Sequence, residues 1–239
     1  YVPFAPDDSG NSIGAALFAS SQEGITIDRK TVASPFLGAN YSEDYILSQF
    51  HLSKLKPDKP SDIFETTTDL IIDGKIVGWC QDRMEFGQRA LGNRSILADP
   101  RNNNMKELIN SAIKFRESFR PFAPAILENF IDQWFDLSNP FMSPYMEKVV
   151  KIKPQLIEKV PAIVHADGSC RLQTVNQKLS PKFYNLIKVF HTKTEIPILL
   201  NTSFNINNEP IVDTPSDAIK TFFSSGLDAL VIGPYLLRK

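Results

Sequence analysis

Residues 196–210 read IPILLNTSFNINNEP, and the class of fold turns on them. IPILLN is a short apolar strand, and TSFNINNEP is a polar loop at its end. The strand therefore emits Asn201, Thr202, Ser203 and Asn205. Short amides and hydroxyls at a strand end supply donors and acceptors at fixed reach, so they can hold phosphate oxygens or a planar, urea-like group. The same side chains can instead cap the loop through bonds to backbone. Downstream, DTPSDAIKTFFSSG spells a helix with Thr214 as N-cap, Pro215 in the first turn, Asp217 as capping partner and Gly226 as terminator. DALVIG closes with another strand.

Working upstream, AIVHADGSCRLQTV gives two strand-like runs around Asp167-Gly168, a hairpin signal that sets His165 and Arg171 on facing strands. NNMKELINSAIKFR places Met105, Leu108, Ile109, Ala112 and Ile113 at helical spacing, with Lys114 at the helix end. SDIFETTTDLIIDGK reads as a helix capped by Ser61, and KIVGWCQ as a strand. Helices and strands in this mixture predict an α/β domain with a mixed sheet over residues 61–239. Residues 1–21 read as a short strand, an acidic turn and a helix of small residues. Residues 22–60 read as a linker punctuated by Pro and Lys, with one helix opened by Ser42. The opening YVPFAP begins in strand-like sequence without an initiator Met, so the chain is expected to be a piece of a longer protein.

The formal net charge is -1 and hydrophobic residues make up 42%. That balance gives no bulk field for polyanions, so a nucleic-acid function would have to rest on a local patch. Cys80 and Cys170 cannot make a disulfide framework and lack metal-ligand spacing, which makes a reducing cytoplasm the expected compartment. No apolar run approaches the ~18 residues of a membrane span.

The positive charge is local. Of nine arginines, Arg83, Arg89, Arg94, Arg101, Arg116 and Arg120 fall in one segment. Guanidinium forks bind phosphate or carboxylate oxygens in pairs, whereas a solvated face is served as well by lysine. The alternative is ordinary ion pairing with Asp82, Glu85, Asp99 and Glu117. In KFRESFRPFAP, Lys114, Arg116 and Arg120 crowd near a helix end with only Glu117 at hand, an arrangement that a multiply charged anion such as a nucleoside triphosphate would relieve. His165 stands alone among side chains that suit a turn. Asp7 and Asp8 precede a helix, which they can cap, or they can meet a cation. No pair among His51, His165 and His191 has ligand spacing.

Six ordered stretches, EFGQRALGNRSILADPR, KFRESFRPFAPAIL, SPYM, HADGSCRLQTV, ILLNTSFNINNEPIV and SGLDALVIG, together resemble the carboxy-terminal region of the O-carbamoyltransferases of the nodulation and antibiotic-biosynthesis type. The resemblance implies a YrdC-like α/β domain preceded by a short remnant of a Kae1-like domain of the actin and hexokinase class. It implies that carbamoyl phosphate and ATP with Mg2+ yield carbamoyl adenylate, whose carbamoyl group then passes to a hydroxyl acceptor on the Kae1-like domain. The family's Lys-x-Arg and Ser-x-Asn signatures fall on Lys114 and Arg116, and on Ser203 and Asn205. By the same resemblance Arg120 and Arg171 join the catalytic set, while Arg89, Arg94, His165 and Asn201 line the substrate pocket. Asp8 matches a carboxylate for Fe2+ or another divalent metal whose remaining ligands lie upstream, so metal is expected only in the full-length protein. Small-molecule substrates, no membrane, no nucleic acid and a homodimer complete the expectation. The alternatives are an enzyme like threonylcarbamoyl adenylate synthase, or a non-catalytic RNA-binding module of this fold. Gln88 stands where many relatives have Pro, and Asn208 where Gly is usual, which brings loop geometry into question.

Overall fold

The computed structural model describes residues 2–26, 34–137 and 141–239. The strands among them are β1 Val77–Cys80, β2 Arg94–Ala98, β3 Ala123–Leu127, β4 Phe135–Asp136, β5 Lys148–Ile152, β6 Ser169–Val175, β7 Ile198–Ser203, β8 Ala229–Ile232 and β9 Tyr235–Arg238. They form one mixed sheet in the order β4-β5-β6-β3-β7-β2-β1-β8-β9. The β1–β8 and β3–β6 pairs are parallel and the other pairs antiparallel. The apolar run of IPILLN becomes the middle strand, β7, with Asn201 opposite Ala123 on one side and Leu97 on the other. Ile198, Leu199 and Leu200 are fully buried, as a strand covered on both faces requires.

The helices are α1 Asn11–Gln22, α2 Glu43–Leu52, α3 Ile63–Ile72, α4 Met105–Ala112, α5 Ile131–Trp134, α6 Pro181–Thr194 and α7 Pro215–Phe223. Helix α7 has the expected capping box, with the Thr214 side chain accepting from Asp217 N and the Asp217 side chain accepting from Thr214 N. Helix α2 begins at the expected cap, where Ser42 Oγ accepts from Tyr45 N. Its Ile46 and Phe50 enter the main core, so this part of 22–60 is packed against the sheet domain. Residues 27–33 of that segment lie outside the described residues.

Four local expectations are corrected. The cap of α3 is Asp62, one residue inside Ser61, because its carboxylate reaches both Phe64 N and Glu65 N, at 2.8 and 3.0 Å. Gly226 does not terminate α7, which ends at Phe223. Instead Gly226 N donates to Ala112 O at the end of α4, and a Cβ there would stand 2.9 Å from that oxygen. The Asp167-Gly168 turn forms, but only its second arm is a strand. Pro161 opens a 3-10 turn before it, and both edges of β6 are already taken by β5 and β3. No strand forms over residues 2–6; Tyr1 lies outside the described residues.

The main core fills the space between the sheet and helices α2, α3, α6 and α7. A smaller cluster of Phe4, Ala5, Leu91, Ala123, Tyr145 and Met146 lies beside β3. Helix α1 buries no residue. Among the described residues no helix is long and apolar enough to cross a membrane.

Candidate active site

The stretch MEFGQRALGNR folds around one carboxylate. Glu85 is buried, and its Oε1 accepts from the backbone N–H groups of Leu91, Asn93 and Arg94 at 2.7, 2.7 and 3.2 Å. Glycine is required twice in this loop. Gly87 has φ +109, and Gly92 has φ +112 with its missing Cβ position 2.2 Å from the Phe183 ring. Gln173 Nε2 on β6 ties down Leu91 O at 2.7 Å, and Asn201 Nδ2 on β7 donates to Ala90 O at 3.2 Å. The loop is thus fixed to the middle of the sheet, and Arg89 is carried at its exposed turn.

Arg89 meets Arg116 and Arg171 in a recess of about 100 Å³ that Asn201, Thr202 and Ser203 also line. Among the described residues no carboxylate lines it. Arg171 comes from β6, where it faces Val149 across the strand pair. Burial first, then the charges of Arg89 and Arg116, pull its guanidinium down to about 10. Its Nε is buried without a hydrogen-bond partner, as is Asn201 Oδ1. A donor and an acceptor left unpaired on two residues that line one recess suit a polar ligand with both functions. Arg116 donates from Nε to Asn110 Oδ1 at 2.7 Å, and its guanidinium lies 5.0 Å from the Phe122 ring centroid. Burial, then Arg120, lowers its pKa.

Lys114 lies directly behind this recess. Its Nζ reaches Ser203 O, Asn205 O and Asn205 Oδ1 at 2.6, 2.9 and 2.8 Å. Burial and then Arg116 pull its pKa from 10.5 to about 7. The two signatures, Lys-x-Arg and Ser-x-Asn, are therefore bound to each other: Arg116 and Ser203 face the recess, while Lys114 and Asn205 clamp the turn that carries Ser203. Phe115, between the two cations, takes φ +45, which aims its neighbours to different sides. Asn208 takes φ +62, a left-handed conformation that Gly and Asn adopt with the least strain.

The remaining candidates lie apart. Arg120 is largely exposed, 3.4 Å from Glu117, and immediately precedes Pro121 of the lining. Arg94 is fully buried and spends its guanidinium on the backbone oxygens of Gln81, Asp82, Asn93 and Asp213. It belongs to a separate recess shared with Asp82 and Lys182. His165 sits on the loop before β6, with Nδ1 3.2 Å from Ser169 Oγ. Burial lowers its pKa, Asp167 opposes, and Arg171 and Lys106 add to the lowering. Asp8 starts a 3-10 turn capped by Asp7, and among the described residues no group of three His, Cys, Asp or Glu could hold a metal. The described residues do not fit an iron or zinc centre.

Two residues outside the sequence-derived set are central: Glu85, which shapes the loop, and Gln173, which joins it to Asn201. A lone Glu ahead of two glycines in EFGQRALG was a signal for the first. Nothing in RLQTV distinguished the second from an ordinary strand position.

A family model described as carbamoyltransferase C-terminus matches residues 68–239. The nodulation protein NolO of Bradyrhizobium diazoefficiens is 44% identical over 246 residues, covering 100% of this chain and 44% of that protein. The nodulation protein NolNO of Sinorhizobium fredii is 40% identical over 243 residues, covering 100% of this chain and 36% of its own length. This chain thus spans less than half the length of these two relatives. A crystal structure of full-length HypF in the phosphate- and nucleotide-bound form aligns with TM-score 0.48 and 13% identity, covering 74% of this chain and 22% of that one. On the matched residues, the chain belongs to the carbamoyltransferase C-terminus family.

Proposed function

We propose that this chain carries the activating part of an O-carbamoyltransferase, binding carbamoyl phosphate and ATP and forming carbamoyl adenylate. The observation that supports it most is a recess lined by three arginines and, among the described residues, by no carboxylate, with Arg171 Nε and Asn201 Oδ1 of its lining residues buried and unpaired. A phosphate supplies the oxygens that Arg89, Arg116 and Arg171 need, and a carbamoyl group supplies the N–H that Asn201 Oδ1 needs. The atoms balance with one water: hydrolysis of carbamoyl phosphate frees phosphate and carbamate, and a carbamate oxygen attacks the α-phosphorus of ATP and expels pyrophosphate. Guanidinium groups fixed in a partly dry recess stabilise both leaving anions as their charge develops. Ser203, held by Lys114 and Asn205, offers a hydroxyl to the same oxygens. Mg2+ would accompany ATP on its phosphate oxygens, since the lining offers no carboxylate ligand. Transfer to a hydroxyl acceptor would fall to a Kae1-like domain beyond this chain.

The test is pyrophosphate release from ATP by the purified chain. Release that requires carbamoyl phosphate, and that bicarbonate with threonine cannot replace, is the expected result. Release with bicarbonate and threonine alone, or none from a folded chain, would contradict it.

A further inference from the structure

The direction in which Asn201 faces is set by a residue outside the recess. Ala90 O and Leu91 O are backbone carbonyls and can only accept. Gln173 on β6 is buried and reaches Leu91 O at 2.7 Å, so the atom there must be its donor, Nε2. Its Oε1 is then left to accept from Asn201 Nδ2 at 2.8 Å. The other hydrogen of Asn201 Nδ2 goes to Ala90 O at 3.2 Å. Both donors of Asn201 are committed to protein, and its Oδ1 remains buried without a partner at a residue lining the recess. Turning the amide over would set Oδ1 against Gln173 Oε1 and Ala90 O, two contacts between acceptors.

We propose that Gln173 is a positioning residue that locks Asn201 with its carbonyl toward the ligand, so that the recess selects an acyl phosphate bearing an amide N–H. This rests on the reading of the recess as a carbamoyl phosphate site. A methyl group in place of the amide leaves Oδ1 buried and bare, and an oxyanion there meets its lone pairs. Three neighbouring arginines supply donors to the rest of the ligand, so an acceptor fixed in this direction tells an amide from its isosteres.

Calorimetric titration of the chain with carbamoyl phosphate, acetyl phosphate and inorganic phosphate tests it. Wild type is expected to prefer carbamoyl over acetyl phosphate, and in Gln173→Leu that preference should fall by about 10-fold or more as Asn201 becomes free to turn. Inorganic phosphate offers no N–H to Asn201, so its affinity reports only the loosening of the Arg89 loop that follows loss of the Leu91 O bond, and should fall less than that for carbamoyl phosphate. A folded Gln173→Leu that keeps the full preference overturns the role of Gln173 and leaves the carbamoyl phosphate reading intact. A wild type with no preference overturns the reading and the selection together. An independent measurement covers the case of a variant that does not fold. In the 15N-labelled wild-type chain, the Asn201 side-chain N–H2 should exchange slowly with solvent both before and after carbamoyl phosphate is added, because both of its N–H groups are bonded to protein. Rapid exchange in either state would overturn the proposal.

Discussion

Arg171 is the cation most committed to the recess, since it is held among other cations with Nε unpaired. Its pKa of about 10 still leaves it charged at neutral pH, and a bound anion relieves its repulsion with Arg89 and Arg116. Arg171→Met should lower kcat/KM for pyrophosphate release on the order of 10²- to 10³-fold, the scale of one lost anion-stabilising donor. Arg120→Ala should cost less than about 10-fold, because an exposed pair such as that with Glu117 contributes little. Equal losses would move Arg120 into the site. Lys114 gives a pH test. Below pH about 7 both folded and unfolded chains hold its proton, and the cost of burying the charge is fully present. Between about 7 and the ordinary 10.5 only the unfolded chain holds it, so stability from this group rises with pH. The stability of wild type relative to Lys114→Met should therefore increase from pH 7 to 10 in urea titrations; a flat difference would mean that Lys114 keeps its proton when folded. At this scale the sequence was legible through the family resemblance, whose Lys-x-Arg and Ser-x-Asn pairs do meet. It was not legible which arginine is spent on backbone. Arg94 and Arg89 are five residues apart in one motif, yet only the first is turned into carbonyls by its place on β2.

The loop of residues 84–93 turns a linear motif into a wall of the recess. Glu85→Ala should destabilise the chain by about 3 kcal/mol or more, since it strands three buried N–H groups, and it should raise KM for carbamoyl phosphate by releasing Arg89. Gly92→Ala should cost at least about 2 kcal/mol, from a forbidden φ and a collision with Phe183. Denaturant midpoints check both, and a Gly92→Ala chain of wild-type stability would contradict this loop geometry. Helix α7 and strands β1, β7 and β8 were readable from capping residues and short apolar runs. Helix α6 was readable in principle from Phe183, Leu186, Ile187 and Phe190, all buried at helical spacing. Strand β3 was obscured by Pro124, which sits opposite Leu200 inside the sheet, where proline is unusual. The false hairpin at Asp167-Gly168 had the right turn chemistry, but a turn cannot report that both edges of its strand are already paired.

Across the whole molecule, the recess joins distant parts of the chain: the loop after β1, the segment after α4, and strands β6 and β7. The mixed α/β class followed from local pattern, but the strand order did not, because β7 lies between β3 and β2 through contacts that no short stretch encodes. A ligand bound only by the assembled recess stabilises the fold by mass action, about 2.7 kcal/mol at 100 times its Kd. Carbamoyl phosphate should accordingly raise the Tm of wild type and leave that of Arg171→Met nearly unchanged. Around the recess the Phe4 ring packs edge-on to Phe86 and Tyr145 at 6.2 and 5.8 Å, so residues before α1 buttress the wall on which Arg89 stands. Helix α1 itself leaves Leu17 and Phe18 exposed. The most direct test of the central claim is a crystal structure of this chain grown with carbamoyl phosphate. The expected result is phosphate density among Arg89, Arg116 and Arg171 with the carbamoyl nitrogen against Asn201 Oδ1. Density for the ligand in the separate recess of Arg94 and Lys182, with the three-arginine recess empty, would contradict it.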